Sequence, residues 1–194
     1  GELSRLLDRP DAIVHFLTRA IELPRLEELY EYWGCDDTRV IPIVGDLTQS
    51  ELGVAPADIE KLKGKIDHFF HLAAIYDLKA SAEDQQRANV DGTRNTVRLA
   101  EEIAARHFHL VSSIAAAGLF EGLFREDMFD EAENLDNPYF RTKHDSEGIV
   151  RKECRIPWRI FRPAIVVGDS RTGEMDKIDG PYYFFKLIQK MRRM

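Results

Sequence analysis

The sequence lacks an excess of positive charge, a cysteine framework and an apolar run of membrane length. Its 27 lysines and arginines are outnumbered by 34 acidic residues, which gives a formal net charge of -7. This balance argues against nucleic acid as a partner, because phosphate binding uses clustered basic side chains. Cys35 and Cys154 lie far apart without metal-ligand spacing, so we predict no metal and a reduced, cytoplasmic protein. No apolar run approaches the roughly 18 residues of a spanning helix, and we expect no stable membrane insertion.

What is present is a regular alternation of apolar and helical segments. Five short segments are almost continuously apolar: residues 12–18, 39–44, 67–72, 108–111 and 158–167. Helical spacing of apolar residues occupies the stretches between them, most clearly in residues 23–33, 84–106 and from 138 onwards. Continuous apolar strands separated by helices are typical of a parallel sheet covered on both faces. The sequence therefore predicts an α/β fold with a Rossmann-like, doubly wound parallel sheet.

One helix carries a pair of side chains suited to proton transfer. Asn137 is a good N-cap for a helix that begins at the next residue, and Tyr139 and Lys143 are four positions apart on one face of it. A neighbouring ammonium group favours the phenolate and lowers the pKa of a tyrosine, which can then exchange a proton with a carbonyl oxygen at neutral pH. Tyr182 and Lys186 share the spacing, so the spacing alone does not distinguish a catalytic pair from two surface residues.

Polar and small residues follow each predicted strand. They are Arg19, Asp46, the pair Ala73–Ala74, the pair Ser112–Ser113, and Pro163. Each has an ordinary interpretation, as a solvated charge, a turn cap or a packing residue. Because ligands bind at the carboxyl ends of the strands in doubly wound sheets, their joint placement at one sheet edge favours a binding site.

A series of short motifs occurs in a fixed order along the chain. They are Gly45-Asp46-Leu47, His71-Leu72-Ala73-Ala74, Asn89-Val90-Asp91-Gly92-Thr93, Val111-Ser112-Ser113, Tyr139-x-x-x-Lys143 and Arg162-Pro163. The series resembles an extended short-chain dehydrogenase/reductase over residues 12–168. Within that superfamily the chain is similar to bacterial alcohol-forming fatty acyl-CoA reductases and the related thioester-reductase domains, through residues 67–77, 124–129, 172–177 and 180–185.

The resemblance implies a catalytic set of three residues. Tyr139 would donate the proton to the carbonyl oxygen of the substrate. Lys143 would hold the nicotinamide ribose and lower the pKa of Tyr139. Ser113, the second serine of its pair, would hydrogen-bond the substrate carbonyl, while Ser112 would be structural or secondary.

The resemblance also implies a binding path for the cofactor. Its positions are Asp46 and Leu47 at the adenine end, Ala73 and Ala74 along the pyrophosphate and ribose, Lys143 at the nicotinamide ribose, and Pro163 beside the nicotinamide. Arg19 follows a strand where such reductases place a charge near the adenosine ribose, and a cation there favours NADPH through its 2′-phosphate.

The implied reaction is NADPH-dependent reduction of a fatty acyl thioester, carried by coenzyme A or a carrier protein, or of a fatty aldehyde. One hydride transfer with loss of the thiol gives an aldehyde, and a second gives a primary alcohol. Chain length, the thioester donor, the end product and homo-oligomerisation stay open.

Two parts of the family pattern are missing. The family begins with a strand and a Gly-x-x-Gly-x-x-Gly turn that wraps the pyrophosphate, and it continues into a C-terminal substrate-binding region. This chain begins at Gly1 and shows neither. We therefore expect residues 1–194 to form one Rossmann domain truncated at both ends, with weak cofactor binding if the protein is no longer than this.

Three other interpretations compete with this one. An NAD-dependent nucleotide-sugar epimerase or dehydratase shares the fold and the Ser/Tyr/Lys set. A non-catalytic cofactor-binding or scaffold protein often loses the Tyr or Lys that this chain keeps. A metal site built from His68, His71, His107 and His109 is disfavoured, because His68 and His71 point to opposite faces of a strand.

Overall fold

The computed structural model describes residues 6–72, 74, 81–173, 175 and 181–191. Its strands are β1 (Val14–Thr18), β2 (Val40–Val44), β3 (His68–His71), β4 (His107–Val111) and β5 (Trp158–Phe161). Its α-helices are α1 (Leu26–Trp33), α2 (Pro56–Leu62), α3 (Ala82–Gln85), α4 (Gly92–Glu102), α5 (Pro138–Glu153) and α6 (Pro181–Met191). Short 3-10 helices span Ala20–Arg25, Ser50–Gly53 and Ile114–Ala117. The predicted alternation of strands and helices is confirmed.

Every strand pairing is parallel. β1 pairs with β2 in one sheet, and β4 lies between β3 and β5 in another. Within the described ranges no strand hydrogen-bonds the two sheets into one.

The core lies between the three-stranded sheet and the helices α4 and α5. Phe108 of β4 and Val150 of α5 are fully buried, and Val97 of α4 is nearly so. These residues belong to one cluster that also includes Leu52 and Val54, which follow β2. The apolar faces of α4 and α5 are therefore what fix the helices on β4.

The predicted long helix over residues 84–106 is interrupted. A π-helical segment, Gln86–Asp91, separates α3 from α4. The wider π turn shifts the side-chain register, and both Asn89 and Val90 are buried. The spacing of apolar residues does not reveal this shift, because the chain is helical both before and after the π segment.

Two boundaries differ for local reasons. The strand predicted over 158–167 ends at Phe161, because Pro163 has no N–H to continue a ladder. The helix predicted over 23–33 begins as 3-10 helix and becomes α-helical at Leu26. It ends as predicted at Gly34, whose φ of 62° suits glycine.

Candidate active site

Helix α5 places the predicted tyrosine and lysine on consecutive turns. Asn137 caps the helix as predicted, its Oδ1 accepting the backbone N–H of Tyr139 at 2.9 Å. Tyr139 is half-buried in the first turn. Lys143 follows one turn later and is buried, with 7% of its surface exposed. The local spacing therefore yields a half-buried tyrosine and, one turn later, a buried lysine.

The Lys143 side chain reaches the carboxyl end of β4. Its Nζ donates to the carbonyl oxygen of Val111, the last residue of that strand, at 3.5 Å. Burial lowers the pKa of Lys143, and the Glu147 carboxylate acts in the opposite direction. The ammonium thus lies immediately before the serine pair that follows β4.

The two serines have different surroundings. The Ser112 N–H donates to the Phe161 carbonyl at 2.8 Å, and its buried Oγ has no hydrogen-bond partner within the described part of the chain. Ser113 is half-buried, and its Oγ accepts from the N–H of Ala115 at 3.2 Å, capping the 3-10 helix. Ser113 is therefore nearer to solvent, and its role toward a substrate carbonyl stays a prediction.

A small polar cavity lies behind Lys143. Its volume of about 10 Å³ is near that of a single water-sized site. Its polar lining consists of His71, Asn89, Thr93, Ser112, Lys143 and Ser146. Ala74, predicted to line the cofactor path, borders this cavity, whereas Ala73 lies outside the described residues.

A buried hydrogen-bond network fixes the cavity wall, and its links were not predicted. The Thr93 hydroxyl donates to the Asn89 carbonyl at 2.6 Å and is 2.9 Å from His71 Nε2. Because its hydrogen goes to that carbonyl, His71 must donate to Thr93 from Nε2. Burial, with a contribution from Lys143, lowers the pKa of His71 to about 4. His71 is therefore a neutral structural donor at physiological pH.

The same network reaches helix α5, which carries Tyr139 and Lys143. Asn89 Nδ2 donates to Thr142 Oγ1 at 3.2 Å, and Ser146 Oγ donates to the Asn89 carbonyl at 2.8 Å. Thr142 and Ser146 are on either side of Lys143 in α5. The Asn89-to-Thr93 motif was visible in the sequence, but its partners on α5 are more than 50 positions away.

Arg19 and Asp46 lie at the adjacent ends of β1 and β2. The register pairs Thr18 with Val44, so both side chains follow the same edge of that sheet. Arg19 is 68% exposed and pairs with Glu22 at 3.1 Å. Asp46 accepts from the Thr48 N–H and hydroxyl at 2.9 and 2.7 Å. These bonds hold the pKa of Asp46 below its usual range, with a smaller effect from Arg19.

The two remaining predicted cofactor positions are Leu47 and Pro163. Leu47 packs against a helix, whereas Pro163 lies beside a cleft. Leu47 packs on α4, where a side chain in place of Gly92 would approach Leu47 to 2.8 Å. The Pro163 carbonyl accepts the Ile114 N–H at 3.1 Å. Pro163 also borders an open cleft of about 440 Å³ beside Phe70 and Phe161. The structure thus brings Ser113, Lys143 and Pro163 to one sheet edge and places Arg19 and Asp46 at the edge of the other sheet.

Three histidines form a separate group on the sheet. His68 Nδ1 lies 3.1 Å from His109 Nε2, and the His68 and His107 rings stack at 5.2 Å. His71 is instead part of the cavity wall. Across the ranges that the structure describes, no three His, Cys, Asp or Glu side chains are grouped to hold a metal ion.

In the same ranges, none of the helices has both the length and the apolarity to cross a bilayer.

Similar sequences include parts of large biosynthetic enzymes. A linear gramicidin synthase from Brevibacillus parabrevis is 31% identical over 192 residues, which cover 91% of this chain and 4% of that protein. A Drosophila melanogaster protein whose name assigns it, provisionally, to the fatty acyl-CoA reductases is 24% identical over 161 residues, or 68% of this chain and 30% of its own. The chain therefore spans well under half the length of these relatives.

Solved structures give the fold independently. The terminal R domain of the myxalamid PKS-NRPS pathway superposes with a TM-score of 0.81 at 28% identity, covering 97% of this chain and 51% of that one. UDP-glucuronic acid 4-epimerase of Bacillus cereus, in complex with NAD, gives a TM-score of 0.66 at 23% identity over 99% of this chain and 59% of its own. At that identity the epimerase shows the fold alone.

The fold is therefore Rossmann-like and of the extended short-chain dehydrogenase/reductase type, as the motif series predicted. A family model described as "Male sterility protein" matches residues 3–194. The chain belongs to that family, whose members include thioester-reductase domains.

Proposed function

We propose that the protein is an NADPH-dependent reductase of fatty acyl thioesters and fatty aldehydes. The observation that carries the proposal is the arrangement around β4. Helix α5 presents half-buried Tyr139 and buried Lys143, and Lys143 contacts the end of the strand that leads into Ser113. Membership of the male sterility family and the similarity to a reductase domain support the same reaction.

Each side chain has a distinct task in the proposed reaction. When bound, the cofactor supplies the hydride. Ser113 donates a hydrogen bond to the substrate carbonyl, and Tyr139 donates a proton to its oxygen as negative charge develops there. Lys143 holds positive charge below the phenol and binds the nicotinamide ribose. Loss of the thiol then leaves an aldehyde. A second hydride transfer would give the alcohol, with the same three side chains in the same roles.

The residues fit a nicotinamide cofactor along the strand ends. Exposed Arg19 offers a cation to a 2′-phosphate, the small Ala74 lies beside the Lys143 cavity, and Pro163 borders an open cleft. Arg19 is the basis for proposing NADPH, because a guanidinium binds phosphate through paired donors. We place the protein in the cytoplasm on its cysteine content alone.

The first test is NADPH oxidation by the full-length protein. Substrates are long-chain acyl-CoA, acyl carrier protein, long-chain aldehyde and a nucleotide-sugar panel. We expect oxidation with the acyl substrates and a loss of at least a hundredfold in kcat for Tyr139→Phe, the usual contribution of a positioned acid. Turnover of a nucleotide sugar alone would identify an epimerase or dehydratase, and activity that survives Tyr139→Phe would refute the assigned acid.

A further inference from the structure

A loop of residues 119–133 connects the 3-10 helix after Ser113 toward α5, and we name it the anchored loop. Its two ends are joined, since the Leu119 N–H donates to the Glu133 carbonyl at 2.7 Å and the Glu133 N–H donates to the Ala117 carbonyl at 3.2 Å. The crossing requires Gly118, whose φ is 65° and whose missing side chain would collide with the Glu133 carbonyl. The loop therefore begins and ends at the last residue of the 3-10 helix that Ser113 caps.

One arginine binds the middle of the anchored loop. The Arg162 guanidinium donates to the Met128 carbonyl at 2.8 Å and to the Arg125 carbonyl at 3.3 Å. It also lies 5.1 Å from the centre of the Phe124 ring. One side chain thus contacts the loop at three points, so the loop conformation depends on where Arg162 is held.

Arg162 is in turn held by a buried carboxylate on α5. Glu147 is 0% exposed, and it accepts Arg162 Nε at 3.0 Å through Oε1 and Arg162 NH2 at 2.7 Å through Oε2. A second guanidinium, that of Arg151, lies 3.9 Å from Glu147. Glu147 is one helical turn after Lys143, and its charge favours the protonated form of that lysine.

A second contact surface between α5 and the anchored loop reinforces the first. The His144 ring stacks on the Phe129 ring at 4.2 Å with an interplanar angle of 2°, and Arg151 covers Phe129 at 4.9 Å. His144 Nδ1 also lies 3.2 Å from the Ala116 carbonyl of the 3-10 helix that Ser113 caps. The helix that carries Tyr139 and Lys143 therefore contacts both the loop and the 3-10 helix that Ser113 caps.

We propose that Glu147 and Arg162 are positioning residues that hold the anchored loop as a fixed wall of the acyl-binding side of the active site. The proposal rests on the proposed function for the identity of the substrate. Leu119 and Leu123 of this loop are 56% and 79% exposed, so the loop offers apolar side chains to a ligand. Arg162, which holds the loop, itself borders the open cleft beside Phe161 and Pro163. An apolar acyl chain is the substrate part that such a wall binds.

Amide hydrogen exchange tests the clamp without using activity. Arg162→Lys keeps the charge but cannot reproduce the paired contact with a carboxylate, and Glu147→Gln keeps the shape without the charge. In the full-length protein, we expect loop amides such as Met128 and Glu133 to exchange at least about tenfold faster in each variant, since one charge-assisted bond is worth about that factor. Amides of α4 should not change.

The matched control is Arg94→Lys. Arg94 of α4 binds Glu153 at 3.3 Å and Asp91 at 3.2 Å. Glu153 is on α5, as Glu147 is, but neither contact of Arg94 involves the anchored loop. Loop exchange that is unchanged in Arg162→Lys, or equally fast in Arg94→Lys, would overturn the proposal. If Arg162→Lys does not fold, Phe124→Leu removes the ring contact while leaving the buried pair intact, and its loop must still exchange faster.

Kinetics locate the effect in substrate binding. For Arg162→Lys we expect KM for a long-chain acyl thioester to rise about tenfold, with kcat within about twofold and NADPH affinity unchanged. A fall in kcat at constant KM would overturn the role as a binding wall. If the unmodified protein reduces no acyl thioester, the proposed function fails, while the exchange experiment still decides whether the clamp exists.

Discussion

The two sheet edges that carry the predicted site are held together in opposite ways. At the end of β1 and β2, Arg19 pairs with Glu22 three positions away and Asp46 caps its own turn. At the end of β4, Lys143 is buried against a network that joins three distant parts of the chain. Exposed local pairs contribute little to stability, whereas buried polar networks are costly to disturb. The edge at β4 is therefore held by distant buried contacts, whereas the edge at β1 and β2 is held by exposed contacts between near neighbours.

The largest expected effect on stability is at Glu147. Glu147→Ala leaves Arg162 partly buried without its carboxylate, and breaking a buried pair costs about 3–5 kcal/mol. We expect urea denaturation to show a loss of that size in the free energy of unfolding. Arg94→Ala breaks the more exposed pair between Arg94 of α4 and Glu153 of α5. This change should cost about 1 kcal/mol or less. Equal losses for the two variants would contradict the contrast between buried and exposed pairs.

The second effect is the pH dependence that His71 confers. Above pH 6.5 its imidazole is neutral in both the folded and the unfolded chain. Below that pH the unfolded chain gains a proton, while the buried ring does not until about pH 4. Stability should therefore fall as the pH drops from about 6.5 to 4, by roughly 3 kcal/mol in total from this residue.

Denaturation midpoints from pH 7 to 4.5 measure this effect. In His71→Gln, the slope of the free energy of unfolding against pH should fall by the equivalent of about one proton. The matched control is His107→Gln, because His107 is an exposed histidine of β4. A curve for His71→Gln that keeps its full slope would show that other groups carry the acid sensitivity.

A smaller effect is expected at Thr93. Thr93→Val keeps the shape but removes the hydroxyl between His71 and the Asn89 carbonyl, which leaves a buried donor unpaired. That change should cost about 1–3 kcal/mol. Thermal or urea unfolding gives the value, and Thr48→Val at the other sheet edge should cost less. If Thr48→Val were the more destabilising of the two, the buried network near β4 would not contribute more to stability than the exposed turn at Asp46.

The sequence predicted the parts of this site that depend on local spacing. The cap at Asn137 and the turn from Tyr139 to Lys143 depend on neighbours within one or two turns. Glu147 and Arg162, by contrast, are 15 positions apart on different elements. Their pairing follows from how α5 packs on the sheet, and no periodicity encodes it.

Three further differences have two origins: distant contacts for the π segment and His71, and a local signal for the end of β5. The π segment that buries Asn89 is hydrogen-bonded to Thr142 and Ser146 of α5, residues that its own sequence does not reveal. The early end of β5 follows from Pro163, a local signal that the mostly apolar run through Val167 obscured. The buried role of His71 was equally hidden, because an alternating strand position does not show which helix residues face it.

The smallest expected effect on stability, and the most selective on binding, is at Arg19. Arg19→Ala removes an exposed pair with Glu22, so the free energy of unfolding should change by about 0.5 kcal/mol or less. If Arg19 binds the 2′-phosphate, its loss should raise the Kd of NADPH about tenfold or more while leaving that of NADH unchanged. Fluorescence titration with both cofactors measures the ratio. Arg25→Ala is the matched control, since Arg25 contacts the same glutamate at 3.4 Å; an equal loss in both variants, or an equal loss for both cofactors, would show that the exposed edge attracts anions generally and does not select NADPH.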